Sequence, residues 1–166
     1  MTRYTKRITL KRLNEVLSLD ASTGILRWKV CLNSRCSIGL EAGYIDSKGY
    51  RYIGIDGQIY YAHVLVWFMT KGRWPTRDID HRNHHEGDNR PSNLRLATAA
   101  QNLWNGRFRK NMSGHRGVYL LRGKWQVLIS KNNKRHYLGV YTDYDVACSV
   151  ADDHAKKLHG QFANVV

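Results

Sequence analysis

The sequence predicts an α+β fold assembled from small modules, and three stretches carry that prediction. Residues 50–61 (YRYIGIDGQIYY) alternate aromatic and aliphatic side chains around Asp56-Gly57, the dipeptide favoured by a tight primed turn, which reads as a β-hairpin. Residues 62–71 (AHVLVWFMTK) follow with the apolar density of a buried helix, stopped by Gly72 and barred from restarting by Pro75. Residues 116–159 read as three strands and then one amphipathic helix.

Taken in order, Ile8, Leu10, Leu13, Val16, Leu17 and Leu19 recur at near-helical spacing and predict a short helix over 8–19. Residues 20–28 predict a turn and a short strand, and 31–43 a loop without period. In the helix over 62–71, Val64, Leu65, Trp67, Phe68 and Met69 read as core packing, whereas His63 is either a core histidine or a residue that reaches a functional site. Residues 78–81 (DIDH) predict a strand, 82–92 a polar loop, and 93–104 a strand or turn running into a short helix N-capped by Thr98. Residues 105–113 read as a linker. The three strands beyond it turn at Arg122-Gly123 and at Asn132-Asn133. On the middle strand Trp125, Val127 and Ile129 share one face, and Lys124, Gln126, Leu128 and Ser130 the other. The helix over 143–159 carries a stripe of Val146, Ala147, Val150, Ala151, Ala155 and Leu158, with Thr142 and Asp145 as a weak capping box and Gly160 as its stop.

The chain holds 27 Lys and Arg against 13 Asp and Glu, for a net charge of +14 over 166 residues. The excess is spread out: ten basic against five acidic residues in 1–62, nine against four in 63–112, and eight against four in 113–166. A soluble protein this basic throughout points to a polyanion, most commonly nucleic acid, met by several modules at once. Cys31, Cys36 and Cys148 form no C-x-x-C pair, which argues against a disulfide framework and a zinc ribbon and implies a cytoplasmic setting. No apolar run reaches the roughly 18–20 residues of a membrane span, and the start lacks a signal-peptide core, so no membrane partner is expected.

The densest chemistry lies in residues 80–102, DHRNHHEGDNRPSNLRLATAAQN. Asp80 and His81 open the stretch, Asn93 lies twelve residues after His81, and Asn102 closes it. A carboxylate, an imidazole and two carboxamides suit one hard divalent ion held beside a phosphodiester. His84 and His85 are rival candidates for base or ligand. Arg82, Arg90 and Arg95 are candidate phosphate clamps, Arg95 alternatively a structural ion pair.

The string His63-Val-Leu-Val-Trp, Asp80-His81, Asp88-Asn-Arg-Pro-Ser-Asn-Leu-Arg95 and Gln101-Asn102 resembles the HNH nuclease family, particularly its phage and intron-encoded branch. The resemblance covers about residues 60–105. It implies a ββα-metal nuclease core, preceded by a small α/β hairpin region and followed by a three-stranded antiparallel sheet packed on one helix. It further implies a homing-type endonuclease acting on double-stranded DNA, with His81 as the base that takes a proton from water and Asn93 as the group that orients its ring. Asp80 and Asn102 would be the protein ligands of a single Mg²⁺ or Mn²⁺ ion.

Arg116-Gly-Val, Gly123-Lys-Trp125, Ile129, Leu138-Gly139, Tyr141, Gly160 and Asn164 resemble the plant ethylene-response-factor type of DNA-binding domain. Positions that often carry base-reading arginines in that family are here Tyr119, Leu121 and Ser130. The DNA contacts expected on these grounds are Arg82, Arg90, Arg107, Arg109, Lys110, Arg116, Arg122, Lys124, Gln126, Arg135 and Tyr137. The expected organisation is an N-terminal region over 1–60, a nuclease over 61–105, a basic linker over 106–113 and a DNA-binding domain over 114–166. The competing reading is a DNA-binding regulator whose nuclease module is inactive. A single metal centre in a monomer favours nicking, and the sequence does not otherwise specify an oligomeric state.

Overall fold

A computed structural model describes residues 8–32, 36–106, 111–131 and 134–164. The chain divides into two compact units, Met1–Leu96 and Ala97–Val166.

The first unit opens with α1 (Leu10–Val16), capped by Thr9, whose hydroxyl accepts the Arg12 amide at 3.2 Å. The helical spacing read through Leu19 stops early, because Leu17–Asp20 form β1, antiparallel to β2 (Ile25–Trp28). Local propensity is a weak prior, and strand pairing that buries Leu17 and Leu26 to 1% exposure each overrides it. The β1–β2 turn is tied by the Asp20 carboxylate, which accepts from the Ser22 and Thr23 amides and is held down to a pKa of about 2 by these bonds, the Ser22 side chain first. Gly24 in this turn has φ +73° and lies so close to loop 82–93 that an added Cβ would meet the Asn89 carbonyl carbon at 2.2 Å. The first hairpin therefore rests directly on the loop that follows Asp80-His81.

Strands β3 (Tyr44–Ile45), β4 (Arg51–Ile55) and β5 (Gln58–Tyr61) form one sheet in that order. The β4–β5 turn is the expected one: Asp56 and Gly57 take φ of 49° and 77°, the two positive angles of a primed turn. Helix α2 (Ala62–Lys71) follows at once and ends at Gly72, whose amide bonds the Phe68 carbonyl at 2.9 Å. Strands β6 (Asp78–His81) and β7 (Leu94–Ala97) pair around loop 82–93. One core gathers Leu13, Val16, Leu26, Ile53, Leu65, Val66 and Leu94, so the region before residue 60 and the β6–β7 hairpin share a single interior.

The second unit begins with α3 (Ala99–Asn105). Its Thr98 N-cap accepts the Gln101 amide, and the Gln101 side chain returns a bond to the Thr98 amide at 2.8 Å. Strands β8 (Val118–Leu121), β9 (Lys124–Lys131) and β10 (Lys134–Tyr141) form an antiparallel sheet with β9 central. Helix α4 (Tyr144–His159) crosses it, capped by Asp143 rather than Thr142, and a turn of 3-10 helix follows at Gly160–Phe162. The expected facial division of β9 holds: Val127 and Ile129 are buried beneath Ala147 and Ala151, while Lys124 and Ser130 are exposed. Small residues on α4 let it approach the sheet closely. The expected turn at Asn132-Asn133 lies outside the described residues. The division between the two units falls before α3. Trp104 of α3 packs on the same core as Val118, Val127 and Ile129.

Candidate active site

Asp80 and His81 end β6 and are both buried, at 4% and 6% exposure. Burying a carboxylate without a partner is costly, and Asp80 has one: its Oδ2 lies 2.7 Å from Nε of Arg95 on β7, a residue equally buried. Of the two readings of Arg95 the structure selects the ion pair, not the phosphate clamp. The pair fixes the orientation of the carboxylate by a charge-assisted bond.

His81 stands against a different set of groups. Its Nε2 lies 3.1 Å from Oδ1 of Asn89, which is itself 5% exposed. The His63 ring meets the His81 ring edge to face at a centroid distance of 5.2 Å, and Tyr50 approaches His81 at 6.2 Å. His63 stacks in turn on Tyr61 at 5.1 Å. His63 is thus both buried and next to His81. Burial, followed by the neighbouring His81, pushes its pKa down to about 3, so its ring stays neutral around pH 7.

Asn93, expected to orient the His81 ring, makes hydrogen bonds within the loop. Its carboxamide spans the loop: Oδ1 accepts the Asn83 amide at 3.1 Å, and Nδ2 donates to Asn83 Oδ1 at 2.9 Å and to the Asp88 carbonyl at 2.8 Å. The Asn93 backbone carbonyl accepts the Arg82 amide at 3.0 Å. Asn93 closes the loop, and Asn89 takes the imidazole. The physical reason is loop length: twelve residues between strand ends must fold back on themselves, and a buried amide at the closing position satisfies backbone groups that would otherwise be stranded. The sequence offers Asn83, Asn89 and Asn93 within one polar loop, and nothing in their spacing separates the ring's partner from the loop's tether.

The other candidates distribute as follows. Arg90 is exposed, yet its guanidinium binds Asp88 at 2.6 and 2.8 Å, and that contact holds the Asp88 carboxylate down to a pKa of about 2. Arg82 is exposed at the head of the loop. His84 adopts φ +61° and donates its amide to the His81 carbonyl; His85 is exposed. Asn102 lies on α3, half-buried, with its amide on the Thr98 carbonyl at 2.9 Å. Arg116 is half-buried; it reaches the Trp104 carbonyl and the Gly106 carbonyl and lies over the Trp104 ring. Arg122, Lys124, Arg135 and Tyr137 are exposed and Gln126 is half-buried; across the strands Lys124 stands opposite Leu121, Gln126 opposite Tyr119 and Val140, Arg135 opposite Ser130 and Tyr137 opposite Leu128. Arg107, Arg109 and Lys110 lie outside the described residues.

Among the described residues no helix is long and apolar enough to cross a membrane, and no group of three or more His, Cys, Asp or Glu side chains gathers as a metal site. An oxygen set built from one carboxylate and carboxamides is of a different kind.

Comparison with known proteins adds an independent line. Residues 60–103 match the family model described as HNH endonuclease. The chain is also similar to an uncharacterized HNH endonuclease of Acanthamoeba polyphaga mimivirus, 26% identical over 121 residues that cover 72% of this chain and 64% of that protein. The match therefore spans less than two thirds of its relative's length. No solved structure matches. Neither comparison supports an ethylene-response-factor domain in the C-terminal part. By the family match, residues 60–103 read as an HNH endonuclease domain, the segment that holds Asp80, His81, Asn93 and Asn102.

Proposed function

We propose that the protein is a metal-dependent HNH endonuclease that hydrolyses phosphodiester bonds in double-stranded DNA at a recognised site, of the homing kind carried by phages and other mobile elements. The observation that carries this reading is the pairing, within the matched segment, of a ring-oriented histidine with a buried, arginine-held carboxylate on adjacent residues. His81 takes the proton of the attacking water, the general-base role that a positioned imidazole serves most often. Asn89 fixes the ring's rotation and tautomer. Arg95 fixes the direction in which Asp80 presents its oxygens.

The donor chemistry fits a hard divalent ion: Asp80 and Asn102 would supply oxygen ligands to one Mg²⁺ or Mn²⁺ ion. Such an ion supplies charge relief at the phosphate and at the leaving oxygen. Loop 82–93, tethered by Asn93, keeps His81 in register. The basic residues of both units, among them Arg82, Arg122, Lys124 and Arg135, are assigned to the phosphate backbone. The sheet of the second unit is assigned to DNA in the manner of an ethylene-response-factor domain, with Gln126 and Tyr137 on the presented face.

The test is cleavage of plasmid DNA with Mg²⁺ by wild type and by His81→Ala. Loss of cutting with DNA binding intact is expected, and persistent cutting by the variant overturns the assignment of the base. If the wild-type protein binds DNA and cuts none under any divalent ion, the inactive-regulator reading takes its place. A specific observation favours one further substrate: Tyr119 and Tyr137 are 43% and 61% exposed on the sheet face, as stacking on single-stranded RNA would require. Cleavage of RNA in preference to duplex DNA would support that reading.

A further inference from the structure

We infer that the C-terminal unit does more than bind nucleic acid: Arg116, His159 and Asn164 are positioning residues that hold helix α3, and through it Asn102, in place for the metal ion. The inference rests on the reading of Asn102 as a ligand given above.

Helix α3 is seven residues long. Isolated helices of that length are not stable in water, because nucleation costs more than so few hydrogen bonds return. Its N-terminus is satisfied by its own capping box. At its C-terminus Gly106 leaves the helix in an extended conformation rather than a left-handed one. Two side chains from distant parts of the unit meet the carbonyls there. The Arg116 guanidinium donates to the Trp104 carbonyl and, at 3.2 Å, to the Gly106 carbonyl. Asn164 Nδ2 donates to the Asn105 and Gly106 carbonyls at 3.4 and 3.2 Å. A cation at this end also complements the helix dipole.

The side chain of the helix is gripped as well as its backbone. Trp104 lies between the Arg116 guanidinium, 5.1 Å from its ring centre, and the His159 ring, stacked on it at 3.6 Å. His159 comes from the last turn of α4, and Lys131 of β9 ties the Leu158 carbonyl beside it. Asn102 sits two residues before Trp104 on the same short helix, and its carbonyl accepts the Gly106 amide at 2.9 Å. Its placement is thereby set by residues 14 to 62 positions further along the chain. Outer contacts of this kind typically change metal affinity by about 10–100-fold.

The experiment uses full-length protein with a phosphorothioate duplex that resists cleavage. Bound Mn²⁺ is read from the loss of the free-ion EPR signal, and α3 amide exchange is followed by mass spectrometry. Arg116→Gln and Asn164→Ala are expected to raise α3 exchange about tenfold and to weaken Mn²⁺ binding about tenfold. Duplex affinity and the melting of the β8–β10 sheet should stay near wild type, and Arg116→Lys should recover part of the Mn²⁺ affinity. Unchanged Mn²⁺ affinity in a variant whose α3 exchanges faster overturns the inference, as does unchanged α3 exchange in both. If Arg116→Gln fails to fold, Asn164→Ala, which leaves the Trp104 stack intact, decides alone. Asn102→Ala separates the two levels. Should it bind Mn²⁺ like wild type, the ligand assignment itself fails. Should it weaken Mn²⁺ binding while Asn164→Ala and Arg116→Gln do not, only the positioning role fails.

Discussion

Loop 82–93 and helix α3 carry opposite ends of one motif, and different forces hold them. The loop is organised by contacts among near neighbours: Asn93 to Asn83 and Asp88, Asp88 to Arg90, Asn89 to His81, all within ten positions. These bonds are polar, one of them an ion pair, and they join the buried His81, Asn89 and Asn93 to the exposed Asn83 and Arg90. Helix α3 borrows its order from far away, through the Arg116 and Asn164 hydrogen bonds and the Trp104–His159 stack. The loop therefore fails when one polar partner is removed. The helix should fail when the fold of the second unit is disturbed anywhere around Trp104.

The largest expected effect is on chemistry. His81→Ala should lower kcat by about 10²–10⁴-fold, the usual worth of a positioned base. Asn89→Ala should follow in the same direction, and Asn93→Ala should act mainly on stability. Single-turnover kinetics beside denaturant melts separate the two. If Asn93→Ala proved the more damaging to kcat at equal stability, the exchange of roles between the two asparagines would be wrong.

Next in size comes Arg95→Met, which leaves the Asp80 carboxylate buried without its cation. Breaking a buried pair from one side costs about 3–5 kcal/mol, to be read as a drop in the urea midpoint at constant slope. Asp80→Asn in the same background should return part of that loss, because the uncompensated charge is gone. A variant as stable as wild type would mean that the pair is not buried in solution.

Deletion of residues 113–166 sharpens the comparison further. If the segment were only a targeting module, slow metal-dependent nicking would survive. The support of α3 by Arg116, His159 and Asn164 predicts that nicking is lost, and plasmid assays at raised Mn²⁺ check it.

The smallest effect is in the pH dependence of stability. The folded-state pKa of His63 lies at about 3, below its unfolded value near 6.5. Protonation thus favours the unfolded chain. The contribution is fully present above pH 6.5 and is lost as pH falls toward 3, with a slope of about 1.4 kcal/mol per pH unit. Thermal melts from pH 7.5 to 4.5 should show this slope in wild type and a flatter one in His63→Phe. His159 shifts in the same direction, burial first, and adds a shallower dependence in the second unit.

Much of this was legible in the sequence because it is locally encoded. Asp56-Gly57 announces its turn, Gly72 its helix stop, Thr98 its cap, and the alternation along 124–131 its two faces; in each, the deciding interactions span only a few residues. Asp80 and His81 stood out because a carboxylate beside an imidazole at a strand end has few structural uses. The strand at Leu17–Asp20 was misread as helix because its partner, Ile25–Trp28, supplies the burial that decides between the two. The charge of Arg116 is visible in the sequence, whereas the Trp104 and Gly106 carbonyls it meets are not.

By itself, then, the sequence determined the β4–β5 hairpin with its following helix, the basic surface charge and the set of residue types from which the site is built, since each depends on side-chain chemistry and short-range geometry. Which asparagine faces His81, that Arg95 pairs with Asp80, and that α3 belongs to the C-terminal unit were decided only in the tertiary structure. Each is a choice among several equivalent polar or aromatic groups, and such a choice is resolved by burial, which depends on contacts formed across the folded chain.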